Sequence, residues 1–294
     1  MKTARITAAV VTAALALGPS SSARAEEVPP SRLPDNQHFT VDPIVDGVII
    51  LGGGTFDVLL ALVLSTGEIK PLPPSADAPS HLLGIDRVAV TQTPSASAGR
   101  YSNIGLAAAC AYAVIDPLMS GVRDGRRSLA VDAIMYAESI AITLAVTDAT
   151  KIAVRRPRPI DYAACSGMTT ASECNQTDLQ LSFFSGHAST TAAITATASY
   201  LAFVRSGWRR PRAWLTLGVG TAVTALVSYW RVRSGEHFPT DVIMGATAGA
   251  GIGVLVPHFH RRPHYHDREL EAPPVIIGYA PVLGGGEVTL RWSF

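Results

Sequence analysis

Residues 213–257 read AWLTLGVGTAVTALVSYWRVRSGEHFPTDVIMGATAGAGIGVLVP. Two apolar stretches of helical length flank an eleven-residue junction, 231–241, that holds two arginines, a glutamate, a histidine and an aspartate. The flanks are built from alanine, leucine, valine, threonine and glycine without period-2 alternation, which argues for helices rather than strands. A turn between apolar helices needs few ionisable groups, so the junction asks for a chemical explanation.

The same texture recurs along the chain. Apolar stretches cover about 44–66, 103–121, 129–150, 188–205, 213–230 and 241–257. They predict an all-α bundle of about six apolar helices. The segments between them, 70–80, 121–127, 158–180 and 205–212, are rich in proline, glycine and charge and read as loops. Gly245, Gly249 and Gly253 repeat every four residues, so they form one ridge on which a second helix can approach closely. GAGIG is not preceded by a strand, and helix packing explains it better than a nucleotide loop. Residues 273–294 carry two β-prone runs around Gly284, Gly285 and Gly286, the signal for a terminal hairpin.

Composition narrows the class. Of 294 residues, 48% are hydrophobic and only 16% charged, which points to membrane contact or an unusually apolar bundle. A net charge of +1 lacks the basic excess of a nucleic-acid binder, so no nucleic-acid partner is expected. Residues 1–25 have a basic start, an apolar core and the small-residue site Ala23-Arg24-Ala25, the pattern of an export signal. The expected organisation is a signal peptide at 1–25, an extended leader at 26–43, a helical-bundle domain at 44–260, and a basic flank with the hairpin at 261–294. Export allows a disulfide between Cys165 and Cys174, although spacing alone leaves unpaired thiols equally open. Cys110, in an apolar run, is expected to be buried.

Charge placement suggests sidedness. Five spans within 103–257 that begin outside would put the arginine-rich segments at 121–127, 205–212 and 258–268 in the cytoplasm. On that count the first stretch, 44–66, does not cross and is interfacial or re-entrant. Asp116, Asp132, Glu138 and Asp148 fall within apolar stretches and must face protein or water. A soluble exported bundle is the alternative.

In an up-and-down bundle, the end of the third stretch, the start of the fourth, the end of the fifth and the start of the sixth share one face. Those positions carry Lys151 and Arg158, then Ser185, Gly186 and His187, then Arg231, His237 and Asp241. Lysine occurs only three times in the chain, so Lys151 at a helix end is not compositional drift. Three cations suit a phosphoryl group, which arginine grips with paired hydrogen bonds. Ser185 and Gly186 open a helix, whose free N–H groups and dipole attract an anion. His237 and Asp241 are four apart, so the carboxylate is expected to hold one ring nitrogen while the other faces phosphorus. His187 is then available to protonate a leaving alcohol. Each feature alone reads more readily as structural; three clusters in the right order do not.

These motifs resemble the superfamily of type 2 phosphatidic acid phosphatases, bacterial acid phosphatases and vanadium haloperoxidases. The family pattern is Lys, six residues, Arg-Pro; Pro-Ser-Gly-His; then Ser-Arg, five residues, His, three residues, Asp. It appears as Lys151 to Arg158-Pro159, Phe184-Ser185-Gly186-His187, and Trp230-Arg231 to His237 and Asp241, with every internal spacing kept. The resemblance implies a phosphatase in which His237 becomes a phosphohistidine, Asp241 orients it, and His187 acts as acid and then as base toward water. It implies that Lys151, Arg158, Ser185, Gly186 and Arg231 hold the phosphate, with no cofactor and no metal. The implied partners are membrane lipid and a lipid phosphate or other phosphomonoester. An inner membrane with the site facing the periplasm is the expected setting, or a soluble periplasmic one. Phe184 and Trp230 depart from the pattern and are expected to reshape the pocket mouth. Competing readings are a vanadium haloperoxidase, a non-catalytic lipid-binding membrane protein, and a secreted soluble acid phosphatase. His258, His260, His264 and His266 could bind a transition metal, but a basic flank is the favoured reading.

Overall fold

The computed structural model describes residues 38–66, 78–165, 181–262, 275–282 and 285–292. Helices dominate: α1 (Pro43–Ser65), a one-turn 3-10 helix (Ala78–His81), α2 (Gly84–Thr91), α3 (Ala96–Asp124), α4 (Arg126–Val154), α5 (Pro159–Cys165), α6 (Gly186–Ser206), α7 (Pro211–Arg233) and α8 (Pro239–Phe259). A hairpin follows, with β1 (Val275–Val282) antiparallel to β2 (Gly285–Trp292) and Val282 opposite Gly285. The six expected helices are therefore present, and so is the hairpin. The short α2 and α5 were not expected; α5 lies where the sequence predicts a loop.

Local chemistry sets the ends. Asp42 caps α1, accepting from the N–H groups of Ile44 and Val45. Pro211 and Pro239 open α7 and α8, where a missing N–H costs nothing. α4 stops at Arg155, whose φ of 50° is left-handed, just before Pro157 and Pro159. Gly235, at φ +77°, makes the tight turn between α7 and α8; a Cβ there would also sit 3.1 Å from Pro94.

α6 lies at the centre. Most of its buried side chains are alanine, serine and threonine, and they pack against α8, α7, α4 and α3. The α6–α8 seam is the closest: a Cβ on Gly245 would meet the Ser185 carbonyl oxygen at 2.7 Å, on Gly249 the Ser189 oxygen at 1.9 Å, and on Gly253 the Ala193 oxygen at 2.3 Å. The glycine ridge is thus a backbone-to-backbone contact. Elsewhere Phe39, Val131, Met135, Tyr136, Ile194 and Leu201 form a larger-residue cluster toward the other end.

The outer surface is the reverse. Ile44, Val48 and Leu51 on α1, Val122 on α3, Leu215 and Val219 on α7, and Ile243 on α8 are more than half exposed. Among the described residues, five helical segments are long and apolar enough to cross a membrane: 43–63, 96–124, 126–162, 211–233 and 239–259. Small and hydroxylated residues inside with large aliphatics outside suit packing in lipid, and the chain is a membrane protein. Cys110 belongs to this outer surface and is exposed, not buried as expected. Cys174 lies outside the described residues, and with it the expected disulfide to Cys165.

The acidic residues in the apolar stretches face protein. Asp132 is buried in a two-pronged ion pair with Arg205. Asp116 accepts from the Tyr136 hydroxyl at 3.0 Å, and Asp148 pairs with Lys151 at 2.9 Å.

The first apolar stretch, expected not to cross, is among the helices long and apolar enough to do so. Asp46 at the start of α1 lies 3.2 Å from His260, Gly53 faces Ala141 on α4, and Asp57 lies beside Asp148. α1 therefore packs along the second half of α4, from about Glu138 to Asp148. Its first residues sit at the end of the bundle that carries the arginine-rich turns at 121–127 and 205–212 and the end of α8.

Candidate active site

Backbone bonds gather the motif-bearing segments at one end of the bundle. Ser182 N–H donates to the Arg156 carbonyl at 3.0 Å, Ser185 N–H to Asp241 at 3.1 Å, Ile160 N–H to Gly235 at 3.0 Å, and Ser95 N–H to Arg233 at 3.0 Å. The loop after α4, the start of α6 and the α7–α8 turn are thereby held together before any side chain is considered.

The cations converge. One Glu236 carboxylate oxygen pairs with Arg158 and lies 3.3 Å from Arg231. Lys151 reaches the start of α6, where a Cβ added to Gly186 would stand 3.6 Å from its Nζ. That is ordinary contact distance, so the ammonium stands beside the first turn of α6. Ser185 is the N-cap of that helix, with its Oγ 3.4 Å from Ala188 N. Arg158, Ser185 and Arg231 are all buried.

Both histidines belong to the same group. His237 Nδ1 lies 2.7 Å from the Ser182 carbonyl oxygen. A carbonyl can only accept, so Nδ1 carries the proton and Nε2 keeps a lone pair. Asp241 Oδ2 is 3.8 Å from Nδ1, too far for a hydrogen bond. The expected carboxylate–imidazole bond is replaced by a carbonyl one, with Asp241 acting on the ring as a nearby charge. The buried Asp241 instead accepts from Ser182 Oγ at 2.5 Å, Phe238 N–H at 2.8 Å and Arg156 at 2.5 Å. The Phe238 bond is the backbone half of a capping box, with Asp241 at the third position of α8. His187, in the first turn of α6, lies with Nε2 2.8 Å from Asn103 Oδ1 on α3.

Electrostatics keeps both rings neutral. Burial, followed by Arg231 and Lys151 and then Arg158, lowers the His187 pKa to about 4. Burial is also the largest cause at His237, whose pKa falls to about 3; Asp241 opposes the shift and the two arginines reinforce it. Lys151, Arg158 and Arg231 thus act on the same space as the rings. All the side chains singled out in the sequence for this face are brought together.

Several supporting residues were not anticipated. Arg156 bridges Asp241, Thr240 Oγ1 at 2.8 Å and Asp86 at 2.8 Å, and its guanidinium lies 3.9 Å over the Phe238 ring. Asp86, fully buried on α2, also accepts from Thr240 N–H and Oγ1. Ser182, Asn103 and Glu236 complete the set. Arg156 was hidden in an arginine-proline run and Asp86 lies far from any motif; a buried acid in a short amphipathic helix was its only trace. Phe184 is buried against Gly245 on α8 and so does not shape the mouth, whereas Trp230 packs against Tyr101 with ring centroids 5.6 Å apart.

Residues 132–265 match the family model of the PAP2 superfamily. This segment is a PAP2-superfamily region. It contains every motif residue described above and supports phosphatase chemistry. No match was found among curated proteins. Among solved structures, the chain is similar to the first transmembrane PAP2 type phosphatidylglycerolphosphate phosphatase from Bacillus subtilis, with 17% identity, coverage of 77% of this chain and 99% of that one, and a TM-score of 0.44.

Proposed function

We propose that this membrane protein hydrolyses phosphomonoester or pyrophosphate bonds of lipid phosphates through a phosphohistidine. The observation that carries the reading is the His237 tautomer: a buried imidazole tied at Nδ1 to Ser182 has its Nε2 lone pair free beside Arg158 and Arg231. In the first displacement, Nε2 attacks phosphorus and the bond to the leaving oxygen breaks, with His187 in its protonated form giving that oxygen a proton. In the second, neutral His187 takes a proton from water, whose oxygen attacks phosphorus, and the phosphate–nitrogen bond breaks. Lys151, Arg158, Arg231 and the α6 N–H groups balance the charge that spreads over the phosphoryl oxygens.

Neutral His187 must first gain a proton. A bound phosphate anion offsets the three cations that disfavour the imidazolium, so substrate itself raises the His187 pKa. Lipid substrates are favoured because the cluster ends a bundle whose outer face is apolar. Positive-inside bias puts the site on the face away from the arginine-rich turns, outside the inner membrane. That orientation leaves the start of α1 in the cytoplasm and is at odds with cleavage after Ala25.

Acid-sensitive, base-stable labelling of His237 by a radiolabelled lipid phosphate, trapped by denaturation during turnover, is the expected result. Turnover without such a species would overturn the mechanism. Equal kcat/KM for soluble esters and long-chain lipid phosphates would overturn the substrate class.

A further inference from the structure

At the opposite end of the bundle a second cluster of ionisable groups has no part in this chemistry. α8 begins beside the catalytic cluster and ends at His260, about 30 Å away at 1.5 Å per residue. His260 Nε2 lies 3.2 Å from Asp46 Oδ1 on α1 and 3.4 Å from Glu138 Oε2 on α4. All three ligand-type atoms lie within 4.8 Å of one another. Asp46 and Glu138 are each only 4% exposed.

Three details point to a cation. Glu138 Oε2 is buried and accepts no hydrogen bond. His260 Nδ1 lies 2.8 Å from the Val256 carbonyl, so it carries a proton; Nε2 faces the two carboxylates and, without an ion, donates to Asp46 Oδ1. This is how a metal-binding imidazole is oriented from behind. Finally, ligand bonds of about 2.0–2.2 Å in tetrahedral geometry place neighbouring donor atoms about 3.3–3.6 Å apart, the spacing seen around Nε2. His260 and Asp46 are the charged groups that face Glu138 most closely among the described residues.

We propose that Asp46, Glu138 and His260 bind a divalent transition-metal ion that clamps α1 to α4 and α8. One imidazole and two carboxylates suit Zn²⁺ or Mn²⁺. The clamp continues a backbone strap, in which Thr40 N–H donates to the His260 carbonyl and Phe39 bridges Arg261. Its role is structural, at the place where the first helix is fastened to the bundle. The rival arrangement is a protonated His260 shared between the carboxylates without any ion.

The test uses the full chain in detergent, in a His258→Gln, His264→Gln, His266→Gln background that removes neighbouring imidazoles. After chelation and reloading with Zn²⁺, one ion per chain is expected by elemental analysis, and Glu138→Gln and Asp46→Asn should each weaken Zn²⁺ binding at least tenfold. Zn²⁺ should raise the unfolding midpoint, because it binds only the folded cluster. Co²⁺ supplies a readout that needs no ligand variant: visible absorption from a low-symmetry nitrogen and oxygen site is expected in the background protein. Substoichiometric Zn²⁺ without a Co²⁺ spectrum, or Zn²⁺ binding unchanged in both ligand variants, would overturn the proposal in favour of the imidazolium ion pair.

Discussion

The two ends of the bundle have opposite charge imbalances. At one, Lys151, Arg158 and Arg231 gather with Glu236 shared between the arginines and Asp148 beside the lysine, and burial keeps two imidazoles neutral. At the other, Asp46 and Glu138 face one imidazole. Elsewhere Arg205 pairs with Asp132, and Arg156 with Asp86 and Asp241, whereas the buried Asp161 carboxylate accepts no hydrogen bond. Burying a charge without a partner is costly, so several like charges held around one space favour a ligand of opposite sign. The sign of the imbalance gives the sign of the ligand, a phosphoryl anion at one end and a metal cation at the other.

The comparison breaks most sharply at His237. His237→Ala removes the attacking nitrogen and should lower kcat by at least about 10³-fold while phosphate still binds the cations. Retention of turnover would mean the cationic end holds an anion without transferring it. Next in size are the cations themselves. Arg231→Lys keeps the charge but loses the paired donors, and should cost about 10²-fold in kcat/KM; Lys151→Met should cost a similar factor. Equal activity of the Arg231→Lys enzyme would show that charge alone matters, and the argument from the guanidinium fork would fail.

Much of this end was legible in the sequence because helix ends obey simple geometry. A histidine before Pro239, a glycine after Ser185 and an arginine after an apolar stretch can each be placed on one face by counting turns. The same counting found the Gly245–Gly249–Gly253 ridge, whose contacts with Ser189 and Ala193 are made by backbone. What escaped is what periodicity does not encode. Ser182 offers His237 a carbonyl, a group every residue has, and so displaced Asp241 from its expected bond without a sequence signal. Asp86 reaches the site through Arg156 from a helix outside all the apolar stretches. The place of α1 against the bundle had no sequence signal either, because the pairing of Asp46 with His260 is a contact across 214 residues.

Glu236 sharpens the comparison more gently. Its carboxylate, with a side chain about one-third exposed, occupies the position between Arg158 and Arg231 where a phosphoryl oxygen would sit. Substrate must displace it. Glu236→Gln removes the competing charge and should tighten inhibition by inorganic phosphate or vanadate about fivefold, with KM falling and kcat nearly unchanged; solvent screening keeps the effect small. Weaker inhibition in this variant would mean that Glu236 holds the arginines in place rather than guarding them.

The smallest expected effect is on stability against pH. Unfolded histidines titrate near 6.5, whereas in the fold His187 titrates at about 4 and His237 at about 3. Between those values the unfolded chain binds more protons than the folded one, so stability is complete above about pH 6.5 and declines as the pH falls toward 3. The unfolding midpoint should drop by a few degrees between pH 7 and pH 5. Because the His187 shift, caused first by burial, is also partly caused by Arg231, Lys151 and Arg158, bound phosphate should flatten the slope by offsetting those cations. His187→Gln, which cannot titrate, should flatten it without phosphate. A slope insensitive to both would show that neither His187 nor the cations around it set the acid sensitivity.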